Sequence, residues 1–144
     1  MESWMFTAVF LGASLVATAP ALKGPGIVGE WAVERQDTCG GVLPYPDPDR
    51  LRFVFTADGK WAMYREGRAE VPNRKYAVDL KAMPHAIDLG PDPDSTIRST
   101  DEGVFKVEGD RLTLCLSVGR HPRPKRFTVS DDDSVSLFVM KRVK

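Results

Sequence analysis

The sequence predicts an all-β domain, an antiparallel up-and-down meander of about eight short strands closed into a barrel and preceded by an N-terminal signal helix. Three observations carry this reading. Past the leader, apolar and polar residues alternate in short runs, the period of a strand with one buried face. Gly, Pro, Asn and Asp break these runs at short intervals, as hairpin connections require. No stretch holds a helical period of useful length, so there is no crossover helix to join parallel strands. A small sandwich is the alternative architecture, but closure removes the exposed edges that a sheet of this size would present.

The leader comes first. An apolar run over residues 5–16 is followed by small residues at Ala17, Ala19 and Ala21, the shape of a signal peptide over residues 1–21. The run is shorter than the roughly 20 residues of a membrane-spanning helix. Glu2 is its only charged neighbour on the N-terminal side, so the amino terminus alone supplies positive charge, and an uncleaved anchor is the alternative. No cysteine follows the run, which argues against a lipid-anchored form. Residues 22–144 are then the barrel domain of an exported, periplasmic or extracellular, protein with no stable membrane span once the signal is cleaved.

The first strand is expected over residues 29–35, where Trp31 and Val33 alternate with Glu30, Ala32 and Glu34. Residues 51–57 follow, with Leu51, Phe53 and Phe55 on one face. Asp58-Gly59 is the strongest hairpin cue, in the type I′ form that needs positive φ at both central residues. It turns the chain into residues 60–65, with Trp61 and Met63 on one side. Tyr76, Val78 and Leu80 mark a further strand, and Ile87 and Leu89 a short one. Residues 104–107 and 111–117 pair through Gly109-Asp110, and residues 126–129 and 135–141 through the acidic turn Asp131, Asp132 and Asp133.

Composition bounds the function classes. The 144 residues amount to one domain, and 42% hydrophobic with 28% charged residues is the balance of an ordinary globular chain. Twenty basic residues against twenty acidic ones leave no global field, so neither nucleic acid nor an anionic membrane is an expected partner.

Four motifs occur in order: Gly29-Glu30-Trp31-Ala32-Val33; Pro84-His85-Ala86-Ile87-Asp88-Leu89; Gly103 through Leu116 around Gly109-Asp110; and Arg123-Pro124-Lys125-Arg126-Phe127. Together they resemble an uncharacterised planctomycete family of small, usually exported, lipocalin-like domains, over about residues 28–142. The stretch Asp37-Thr38-Cys39-Gly40-Gly41 departs from the Gly-containing turn expected after the Trp strand. The resemblance implies a lipocalin-like β-barrel and an exported protein, and it implies no reaction. Gly29-Glu30-Trp31 is also similar to the Gly-x-Trp of true lipocalins, which implies that Trp31 packs across the closed base of the barrel.

An eight-stranded barrel is either filled by side chains or hollow enough for one small ligand, and that choice is the functional question. If hollow, Trp31, Phe53, Phe55, Trp61 and Tyr64 are the candidate ligand-binding residues, suited to a small apolar or amphipathic molecule. If filled, the domain is a structural or protein-interaction domain of the cell envelope, with the loops over residues 44–48 and 120–126 as its contact surface. Arg120, Arg123, Lys125 and Arg126 form the one dense basic cluster, either an anion site or a solvated loop beside Asp131, Asp132 and Asp133. Cys39 and Cys115 are a disulfide candidate in an oxidising compartment; the alternative is a small residue on a strand and a loop thiol. Pro-Asp-Pro-Asp occurs at residues 46–49 and 91–94, and its Asp47, Asp49, Asp92 and Asp94 read as turn caps more readily than as calcium ligands.

Catalytic signals are missing. His85 and His121 lie in no metal-binding spacing, and Ser95, Ser99, Ser117, Ser134 and Ser136 in no nucleophile elbow, so neither an enzyme nor a cofactor is expected. Asp88, between Ile87 and Leu89, points away from the core face and reads as a hydrogen-bonding residue rather than a catalytic acid.

Overall fold

A computed structural model describes residues 26–91, 100–117, 121–129 and 134–144. The leader with its signal helix, Asp92, Asp94, Ser95, Ser99, Arg120 and Asp131 to Asp133 lie outside the described residues. Those residues form nine strands and no helix: β1 (Gly29–Thr38), β2 (Gly41–Pro44), β3 (Leu51–Phe55), β4 (Lys60–Arg65), β5 (Arg68–Asp79), β6 (His85–Leu89), β7 (Asp101–Glu108), β8 (Arg111–Ser117) and β9 (Val135–Arg142). Every neighbouring pair is antiparallel, and β1 meets β9, so eight strands close into a barrel. Both β2 and β3 use one edge of β1. Gly29 to Ala32 pair with β3, and Arg35 to Thr38 pair with β2.

The inner face follows from the two-residue period. Trp31, Phe53, Phe55, Ile87, Phe105, Leu112, Leu114 and Met140 are buried in one core cluster. A register shift between Val33 and Arg35 changes the parity of β1 against β9. A second, smaller cluster of Val104, Cys115 and Leu137 lies on the opposite face of its strands, beneath Phe127 and Val129. Leu137 is therefore not part of the barrel interior.

The connections correct one expectation about turns. Thr56 and Gly59 form a four-residue turn (Gly59 N to Thr56 O, 3.2 Å), with φ 84° at Gly59 and no positive φ at Asp58. That is the longer hairpin with glycine in the left-handed position, not type I′. Positive φ at two successive residues occurs instead at Glu66 (53°) and Gly67 (83°), between β4 and β5.

Residues 126–129, expected as a strand, belong to a strap with no ladder partner, which crosses the outer wall while β8 pairs directly with β9. Arg123 fastens it. Its Nη1 donates to the carbonyl oxygens of Ile87 (2.9 Å) and Gly103 (2.8 Å), and Nη2 donates to Asp88 Oδ1 at 2.6 Å.

One end of the barrel is closed around Trp31. Its Nε1 donates to Ile27 O at 2.8 Å, and the Arg142 guanidinium sits 4.2 Å from its ring centroid. Arg142 also donates to Val28 O (3.0 Å) and Gly26 O (2.6 Å), tying residues 26–28 beneath the ring.

Candidate functional site

Of the five aromatic candidates, four share the barrel interior. Trp31, Phe53, Phe55 and Trp61 are all buried, the most accessible of them, Trp61, at 6% exposure. Phe53 is their hub: its ring lies 6.3 Å from Phe55, 6.1 Å from Trp61 and 5.2 Å from Phe138. Tyr64 is separated from them. It pairs with Arg52 across β3, and both alternate with the inward Phe53 and Met63, so Tyr64 stands on the outer wall.

Several clefts among the described residues border outer-wall positions. One, of about 510 Å³, lies between the β5–β6 loop and the strap, with Ala77, Met83, Pro84, Asp88, Arg123 and Lys125 among its lining. Met83 stands at its rim, 85% exposed. A second, of about 500 Å³, is lined by Ala32, Glu34, Tyr45, Pro46, Pro48 and Lys141. A third, of about 400 Å³, lies over the β3–β4 hairpin and takes in Tyr64 and Trp61.

The basic cluster divides. Arg123 is engaged with Asp88 and two backbone carbonyls, while Lys125 and Arg126 are exposed and Arg120 lies outside the described residues. Asp88 is thereby a hydrogen-bond acceptor that holds the strap. Asp47 caps the amide of Asp49 (2.9 Å), and Asp49 pairs with Arg52.

Cys39 and Cys115 are both free, which corrects the disulfide candidate. The reason is placement. Cys39 is exposed in the β1–β2 turn, whereas Cys115 is buried on the outer face of β8, its Sγ 3.9 Å from Thr128 O of the strap. Burial pushes the Cys115 thiol up to about 11, so it is a packed thiol rather than a nucleophile at neutral pH.

Three features had little sequence signal. The strap clasp joins residues 35 positions apart, Asp88 and Arg123. The Arg142 lid on Trp31 joins the two ends of the domain. The third is the cleft over the β3–β4 hairpin, which depends on a break in β5. There Asn73 has φ 51°, and the β4–β5 register shifts between Trp61 and Met63. Its cue is Pro72-Asn73, a turn-forming pair inside an otherwise extended run.

In comparisons with known proteins, no family model, no curated protein and no solved structure matches the chain.

Proposed function

We propose that the chain is an exported, lipocalin-like β-barrel domain that serves as an interaction module of the cell envelope, with a filled barrel as scaffold and its contact surface on the outer wall. It carries out no catalysis in this reading. The single observation that supports it is the state of the inward aromatic residues. Trp31, Phe53, Phe55 and Trp61 lie in one buried cluster, with Phe53 stacked against Phe55 and Trp61. A small apolar ligand among them would have to displace side chains that already satisfy one another, at a cost of the kind paid for overpacking a core.

The outer wall offers what the interior does not. Both proline-containing loops line clefts, Pro46 and Pro48 in one, Pro124 beside Met83 and Pro84 in the other. Each combines an apolar floor with a few charged groups, the make-up of a recognition surface. Arg123 positions the cleft between the β5–β6 loop and the strap rather than binding in it, because its donors already hold Ile87, Gly103 and Asp88.

A photo-crosslinking residue placed at Met83, and separately at Pro46, tests this in the cells that make the protein. A discrete crosslinked partner from either position is the expected result. Absence of any specific crosslink, together with a small molecule retained stoichiometrically by the native protein in mass spectrometry, contradicts the reading.

A further inference from the structure

We propose that β2 is a self-association edge, along which two copies of the chain pair antiparallel about a two-fold axis at Val42. The inference goes beyond the outer-wall contacts proposed above and does not depend on them.

Barrel closure leaves one strand outside. The other eight have neighbours on both sides, whereas β2 pairs with β1 alone, so among the described residues it is the one strand with a neighbour on a single side. The register shows which backbone groups lie on its open side. Tyr45 N donates to Glu34 O at 2.9 Å, and hydrogen-bonded residues alternate along an antiparallel ladder, so Leu43 and Gly41 face β1. Val42 and Pro44 therefore face away. Val42 presents both an N–H and a C=O outward, and Pro44 a C=O alone.

The side chains mark this edge as a contact. Natural sheets protect an open edge with charged residues, and here there are none: Thr38 to Pro46 is the longest run without a charged side chain in residues 22–144, bounded by Asp37 and Asp47. The next longest begins at Leu112, and its residues 112–117 are buried, whereas residues 39–44 are all exposed. Val42 is 63% and Leu43 52% exposed.

Such an edge accepts an uncharged, apolar, extended strand, and β2 is itself one. A two-fold axis at Val42 lets the copies exchange both bonds, from Val42 N–H to the C=O of the partner's Val42 and the reverse. Leu43 then falls across the partner's Gly41, where the missing side chain leaves it room. Pro44 has no N–H to offer and ends the ladder. A symmetric contact of this kind uses up the open side of both copies, so association stops at two and builds no filament. The contact is short, so the dimer is weak and forms at high concentration.

Sedimentation velocity on the full domain from about 10 μM to about 1 mM tests the proposal. The sedimentation coefficient is expected to climb from monomer towards dimer across that range. Val42→Lys sets two like charges directly opposite each other and weakens association about tenfold or more, with the thermal midpoint unchanged because the side chain is exposed. A second variant reads the register. In a Cys39→Ser background, Val42→Cys places two thiols across a hydrogen-bonded pair, about 5.5 Å apart at Cα and within disulfide reach. Oxidation is then expected to give a covalent dimer faster than it does with Met83→Cys, a more exposed control. A monomer at every concentration overturns the proposal, as does a dimer that Val42→Lys leaves equally tight, or a disulfide that forms no faster at position 42 than at position 83.

Discussion

The thiol of Cys115 shows how one residue reports on its surroundings. It alternates with Leu112, Leu114 and Leu116, which placed it in advance on the face opposite those leucines. The sequence could not show that this outer face is also buried, because its cover, Phe127 and Val129, comes from a segment read as a strand. Burial raises the thiol from 9.0 to about 11, so between those values the unfolded chain loses the proton that the folded one keeps. Stability therefore falls as pH rises from 9 towards 11, and it is unaffected by this group below that range. Urea denaturation across the range is expected to show this fall in the parent protein and a smaller one in Cys115→Ala. At neutral pH, an alkylating reagent is expected to modify exposed Cys39 quickly and Cys115 slowly.

At the level of elements, the strap carries the main lesson. Phe127 and Val129 alternate with Arg126 and Thr128, the two-residue period of a half-buried strand, yet residues 126–129 have no ladder. A segment lying flat on an outer wall buries every second side chain just as a strand does, so the pattern reports half-burial and not hydrogen bonding. The opposite error concealed β2. Gly41–Pro44 is short, wholly exposed and bounded by glycine and proline, so no apolar face marked it. The inward faces of β3, β4, β6, β7 and β8 were legible because each has one side against the core. The strap depends on Arg123, and Arg123→Ala removes three charge-assisted hydrogen bonds. Such bonds contribute about 1.5–3 kcal/mol each where buried, less here because the side chain is about one-third exposed. The expected outcome is a loss of about 2 kcal/mol in denaturant unfolding, with Cys115 alkylated about tenfold faster as the strap opens. Asp88→Asn is expected to cost less than half as much, since both carbonyl contacts remain. If Arg123→Ala leaves Cys115 as protected as before, the strap is held by its apolar contacts and not by the clasp.

For the whole molecule, closure of the barrel is the defining property. The order from β3 to β8 was readable from hairpin signals in sequence, whereas the direct pairing of β8 with β9 was not; β1–β9 pairing closes the barrel. The lid on Trp31 was less accessible: Gly29-Glu30-Trp31 marked the ring, but nothing in the local pattern of residues 135–142 marked Arg142 as its cover. Whether the barrel is filled could not be read from sequence at all. Trp31, Phe53, Phe55 and Trp61 would be equally aromatic lining a cavity or packing one another, and Tyr64 was grouped with them by ring chemistry although its alternation with Met63 puts it outside. We propose that these inward rings are scaffold and that recognition takes place on the outer wall. Titration of the purified native domain with 1-N-phenylnaphthylamine, whose fluorescence rises on entering an apolar cavity, tests it most directly. A filled barrel gives no saturable rise; a saturable rise with one probe per chain, lost in a variant that places a charge at Phe53 but remains folded, would contradict it.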